Sequence, residues 1–299
     1  MSEQTPIDLA KPAAHWNEMY AEPKRATWHA HPKVASYISN RLYGSDQHWL
    51  GFIFNDYLPA RPKRLLSIGC GDGEHELAIA RNGFADYIEA FDASDVGIAK
   101  AQETADRENL NVRFRVDRFD DFAGREATEK FDAVIFIGSL HHVENLEAML
   151  SKVRNILSDE GFLIYNEYVG PCYIILPDER IALINRILRS IAPEYKISDD
   201  ALWRNPTMQE VIDTDPSEAI RSALIPQLLR VYFDVKWERG FGGGLLHPLF
   251  QRLNEHALAA KDVGVDTMIN MLIEIERILE DCNAIPSDFV LGVAQQKAV

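Results

Sequence analysis

Between residues 64 and 170, short apolar runs alternate with stretches in which apolar positions recur every three to four residues. RLLSIG (64–69), YIEAFDAS (87–94), NVRFRVD (111–117), FDAVIFIGSLHH (131–142) and GFLIYNEYVG (161–170) read as strands. Runs of this length, rich in Val, Ile, Phe and Tyr and bounded by turn residues, suit a pleated surface. HELAIARNG (75–83), DVGIAKAQETADREN (95–109) and ENLEAMLSKVRNIL (144–157) carry the 3.6-residue period of helices that bury one face. Apolar strands linked by helices predict a parallel sheet covered on both faces, an α/β architecture. The alternation breaks at 171–228. DERIALINRILRSI (178–191) has a helical pattern, and SEAIRSALIPQLLRV (217–231) predicts a second helix entered through Asp215, with Pro216 first and Glu218 third. VYFDVKWERGF (231–241) returns to strand, two helices are expected in 247–282, and DFVLGVAQQ (288–296) predicts a last strand expected at the sheet edge. The expected organisation is an N-terminal helical segment or lid (1–50), a core (51–170 and 229–299) and a helical cap insertion (171–228).

Composition narrows the function. Of 299 residues, 46% are hydrophobic and 26% charged, a globular mix, and the formal net charge is −15. That acidic excess argues against a protein that grips nucleic acid through a broad basic face. With no long apolar stretch and no apolar signal core at the N-terminus, neither a membrane span nor export is expected, and the expected location is cytoplasmic. Cys70, Cys172 and Cys282 are odd in number and widely spaced, so neither a disulfide framework nor a paired-cysteine metal site is expected. A homodimer is left open.

The chemistry concentrates at strand ends. Gly69-Cys70-Gly71-Asp72-Gly73 turns the first strand into the first helix, where glycines permit close backbone approach to a ligand; a tight turn is the plainer reading of such a motif. Asp92 ends the second strand, placed to accept ribose hydroxyls, and Asp117 ends the third, placed to meet an adenine amine. A dinucleotide site would need G-x-G-x-x-G, and the spacing here is G-x-G-x-G.

With LLSIGCGDG, FDAS, VRFRVDRFDDF, FDAVIFIGSLHHV and DEGFLIYNEY, the chain resembles the Rossmann-like class I S-adenosylmethionine-dependent methyltransferases over about residues 60–170. The resemblance implies S-adenosyl-L-methionine as cofactor and S-adenosyl-L-homocysteine as product. It implies that Gly69, Cys70, Gly71 and Gly73 pass under the methionine part, Asp92 and Ala93 meet the ribose, and Asp117, Arg118 and Phe119 meet the adenine. Gly138, Ser139 and Leu140 would lie along the cofactor. It also implies a hairpin-like final strand pair. One departure is Ser67, where the family usually has an acid two residues before the first glycine; Glu74 or Glu76 is expected to supply that charge near the cofactor's amino group.

Methyl transfer to oxygen or nitrogen depends chiefly on alignment, with a base where the nucleophile must lose a proton. His141 and His142 follow the fourth strand, and one of them is the expected base, the other structural; Glu167 is the expected orienting group. Tyr20, Trp28 and His31 from the aromatic N-terminal segment, with Tyr168, Tyr173 and His247, are candidates for the acceptor pocket. Packing against the sheet is the plainer reading of the aromatic residues. No metal cluster stands out by ligand spacing. Cys172 as a thiolate that attacks a base is set aside for want of a basic stripe. NEYVGP, TDPSEAIRS and GFGGGLLHPLF resemble a bacterial small-molecule- and sugar-tailoring subgroup. The expected function is methylation of a small molecule at a sugar or other hydroxyl. The alternatives are a protein or peptide acceptor, or a non-catalytic cofactor-binding partner.

Overall fold

The computed structural model describes residues 10–21, 27–126, 128–259 and 262–297. Seven strands, β1 (Arg64–Ile68), β2 (Tyr87–Asp92), β3 (Val112–Val116), β4 (Phe131–Ile137), β5 (Leu157–Tyr168), β6 (Phe233–Gly242) and β7 (Phe289–Gln296), form one sheet in the order β3-β2-β1-β4-β5-β7-β6. The first five are mutually parallel, and β7 is antiparallel to both its neighbours. In β4, Ala133 and Ile135 enter one hydrophobic core while Val134 and Phe136 enter the other. The period of two thus feeds two buried faces, which is why β4 reads as a nearly continuous apolar run.

The last strand is not at the edge. β7 is buried through Val290–Ala294 and lies between β5 and β6, leaving the edge to β6 with its exposed Asp234, Lys236 and Arg239. Charged side chains suit an edge, where they discourage pairing with another chain.

The long helix expected over 217–231 is also broken. Residues 216–221 form a turn, and the helix runs only over Ile225–Tyr232. Asp215 accepts the Ser217 N–H at 2.9 Å, as a cap would, but Ala219 takes φ +50°. Three long-range anchors hold it there. The Ala219 carbonyl accepts the Tyr173 N–H (2.9 Å), Ser222 Oγ donates to the Gly170 carbonyl (2.8 Å), and Arg221 pairs with Glu147 (2.5 Å). Tertiary bonds override a local helix preference worth only tenths of a kcal/mol per residue, on the order of 0–0.7. A short helix not expected from the pattern, Met208–Thr214, precedes it and opens on a capping box of Thr207 and Glu210. Among the described residues the 247–282 stretch shows three helices rather than two, Leu246–Phe250, Glu255–Leu258 and Val263–Asp281.

Among the helices that precede the sheet are α1 (Ala10–Ala21) and α2 (Pro32–Tyr43). Asn17 of α1 accepts the Ser94 hydroxyl (2.6 Å) and donates to Asp95 (2.7 Å), fastening α1 to the start of helix Asp95–Glu108. No helix among the described residues is long and apolar enough to cross a membrane.

Candidate active site

From β1 the chain builds one side of the sheet through β2 and β3, then returns to place β4 on the other side. The crevice at this switch point, beyond the carboxyl ends of the strands, is where open α/β sheets bind ligands. A cleft opens there, lined by Gly69, Asp92, Asp117, Gly138, Ser139 and His142 among others. Ser139 Oγ donates to the Ile68 carbonyl at 2.6 Å, stitching the end of β4 to the end of β1. Gly69 has φ +75°, and a Cβ on it would lie 2.5 Å from the Ser139 Cβ. The motif's first glycine is therefore demanded by both backbone conformation and close approach. Gly73 serves packing instead, since a Cβ there would meet Ala101 and Phe114 at 2.7 Å. Cys70 is half-buried, and burial with nearby Glu76 and Asp92 pushes its thiol pKa up.

Ser67, where the family's acid would stand, donates its hydroxyl to Glu76 Oε1 at 2.6 Å. Both side chains are buried, and Glu76 Oε2 has no hydrogen-bond partner among the described residues. Burial raises the Glu76 pKa to about 7 against the pull of the Ser67 bond. Asp92 accepts the Gly71 N–H on one oxygen and the Ser94 N–H on the other, each at 2.9 Å, and burial raises its pKa. Asp117 accepts the Arg118 N–H (2.9 Å) and forms ion pairs with Arg125 and Arg115. Ala93, Arg118 and Phe119 line the same cleft, whereas Leu140 is wholly buried beneath it.

The histidines sit in a short 3-10 turn, Leu140–His142, that follows β4. Glu167, fully buried at the end of β5, accepts the backbone N–H groups of Ser139 (2.8 Å) and Leu140 (2.7 Å) on one oxygen. Its other oxygen lies 2.8 Å from His141 Nδ1. Burial works against a charged His141, but the Glu167 bond and neighbouring carboxylates outweigh it and raise its pKa. Burial and then the adjacent His141 lower that of His142. His142 Nδ1 lies 3.1 Å from Ser217 Oγ, and its ring meets Trp16 edge-on at 5.3 Å. Glu218, one residue on, faces both rings, so that His141, His142 and Glu218 bring three potential metal-ligand atoms within 4.8 Å of one another. The sequence pattern gave no sign of this cluster, because Asp215 and Glu218 read as helix-capping acids.

The acceptor candidates divide. Tyr20 lies against Gly71 over the glycine turn and lines the cleft. Tyr168 stands behind His141 (6.1 Å between ring centroids), with His247 and Phe289 edge-on to it at 6.0 and 5.2 Å. Burial lowers the His247 pKa to about 4, so its imidazole is neutral at pH 7. Tyr173, at φ +56°, belongs to the turn Cys172–Ile174. Trp28 packs against Phe241 and Phe289, and His31 caps α2 and faces Phe250; neither lines the cleft. Pro216, Ser217 and Ile220 also line it, although the sequence marks them only as part of an expected helix start and of the TDPSEAIRS stretch.

A glycine turn that a Cβ would block, a buried carboxylate oxygen without a partner and a second buried acid at the end of β2 suit a cationic ligand with an amino-acid part and a nucleoside part. Sheet order, antiparallel β7 and this cleft define a Rossmann-like class I methyltransferase fold. A methyltransferase-domain family model matches residues 47–204. The chain belongs to that family, the class I S-adenosylmethionine-dependent methyltransferases, whose cofactor is S-adenosylmethionine. It is 35% identical over 107 residues to a ubiquinone biosynthesis O-methyltransferase of Cereibacter sphaeroides, covering 36% of this chain and 42% of that protein. A counterpart from Glaesserella parasuis is 28% identical over 104 residues, 34% of this chain and 43% of that protein. The chain thus spans less than half the length of these two relatives. A geranyl diphosphate C-methyltransferase from Streptomyces coelicolor shares the fold, with a TM-score of 0.53 at 15% identity over 98% of this chain and 99% of that one.

Proposed function

We propose that the protein methylates a hydroxyl of a small molecule, in the manner of sugar or secondary-metabolite tailoring. Bound in the cleft, S-adenosylmethionine supplies an electrophilic methyl group. Gly69, Cys70, Gly71 and Glu76 would hold its amino-acid end, Asp92 and Ala93 its ribose, and Asp117, Arg118 and Phe119 its adenine; Gly138 and Ser139 would flank it. The N-terminal segment acts as a lid and 171–228 as a cap over the acceptor, a reading supported by Trp16 and Tyr20 on one side of the cleft and Ser217 and Ile220 on the other.

The observation that carries the hydroxyl acceptor is the His141–Glu167 contact of 2.8 Å at the end of β4. An oxygen nucleophile must shed a proton, and a buried carboxylate that orients an imidazole is what that step requires. The similarity to O-methyltransferases supports the same reading. His141 or His142 replaced by alanine is expected to slow transfer by about 10²-fold or more while leaving S-adenosylhomocysteine affinity, measured by calorimetry, unchanged. Full activity in both variants would remove the pair from the reaction. Methyl-labelled cofactor added with the protein to a bacterial extract should put label in the small-molecule fraction, above an Asp92→Ala control. Label confined to protein would overturn the small-molecule acceptor.

A further inference from the structure

Both imidazoles at the end of β4 spend Nδ1 on partners behind them. His141 Nδ1 faces Glu167, a carboxylate that only accepts. His142 Nδ1 faces Ser217 Oγ at 3.1 Å and Asp215 Oδ2 at 3.5 Å. Ser217 already donates its hydroxyl proton to Asp215 Oδ1 at 2.6 Å, so toward the ring its oxygen accepts. Each Nδ1 therefore carries the hydrogen, and in the neutral ring each Nε2 keeps its lone pair. Those two lone pairs face one carboxylate. His141 Nε2 lies 3.9 Å from Glu218 Oε1, and His142 Nε2 lies 3.8 Å from Glu218 Oε2. These separations are too long for hydrogen bonds, yet they suit ligands that reach an ion between them at about 2.0–2.2 Å. The ring centroids are 4.3 Å apart, which disfavours two imidazolium charges and suits two neutral donors sharing one cation.

We propose that His141 Nε2, His142 Nε2 and Glu218 bind one divalent transition-metal ion of the zinc, cobalt or iron(II) kind. Ring nitrogens backed by carboxylates are the usual arrangement around such ions. Two imidazoles and one carboxylate leave coordination positions open. The turn 216–221, held out of a helix by Tyr173, Gly170 and Glu147, carries Glu218 to this place. The inference rests on the reading that the acceptor's hydroxyl meets the histidine pair, and it says how the pair acts. The hydroxyl oxygen takes an open position on the ion, its O–H bond weakens, and the proton passes to water while the electron pair stays on oxygen.

The test is cobalt(II) titration of the chelator-stripped protein, read by visible ligand-field absorption and by metal analysis after desalting. One ion per chain is expected. Glu218→Gln and His142→Ala should each weaken binding by more than 10-fold, and Asp215→Asn by about 10- to 100-fold through the outer shell, with S-adenosylhomocysteine affinity intact as proof of folding. No stoichiometric cobalt, or equal cobalt in Glu218→Gln, overturns the site. Stripped protein that transfers methyl groups at full rate while His141→Ala does not would overturn the ion and leave the histidine reading standing.

Discussion

Glu76 is a carboxyl group that folding alone does not favour. Its ordinary pKa is 4.5, and burial lifts it to about 7 in the folded chain, so between these values the native state holds a proton that the unfolded chain has lost. Stability of the cofactor-free protein therefore declines as pH rises from about 4.5 through about 7, and Glu76→Gln should raise its melting temperature at pH 8. Cofactor binding runs the other way. A cationic amino group beside Glu76 favours the carboxylate, so affinity should rise with pH through about 7 and binding should release a proton. Glu76→Gln should weaken S-adenosylmethionine but spare methylthioadenosine, which lacks the amino-acid part; calorimetry with both ligands separates the two, and an S-adenosylmethionine affinity equal to that of the unsubstituted protein would exclude Glu76. The missing acid at Ser67 was visible in the sequence, and so were Glu74 and Glu76 as candidates for its place. That the Ser67 hydroxyl would meet Glu76 was not, because the bond spans the glycine turn.

At the scale of elements, the strands and the helices between them follow the apolar pattern closely, since the central strands are buried on both faces. The pattern fails where side chains far along the chain decide the backbone. Asp215-Pro216-Ser217-Glu218 has every mark of a helix start, yet it is a turn. A true start lay eight residues earlier, where Thr207 accepts the Glu210 N–H at 3.2 Å and Glu210 accepts the Thr207 N–H at 2.8 Å. Thr207→Ala should cost about 1 kcal/mol of stability in urea unfolding and leave cofactor affinity unchanged. A loss below a few tenths would mean that the neighbouring Arg204–Glu210 pair, rather than the cap, holds this helix.

For the molecule as a whole, the insertion between β5 and β6 is tied to the sheet by a buried pair, Arg180 to Asp288, at 2.5 Å just before β7. Both residues are less than a tenth exposed. Arg180→Met leaves Asp288 buried without its cation and should destabilise by about 3–5 kcal/mol, whereas replacing both with apolar residues should restore most of that; thermal unfolding of the three proteins checks it. No local pattern announces such a pair, whose members lie 108 residues apart. The same limit divides the rest of the protein. Strand and helix type, the parallel α/β layout, the glycine turn and the acids at the strand ends could all be read from residue order, because each is set within about a dozen residues by period, size and backbone freedom. The interior place of β7, the broken helix at 216–221 and the meeting of His141, His142 and Glu218 came only with the folded chain. They depend on which distant surfaces pack together, and packing is decided by the whole molecule at once.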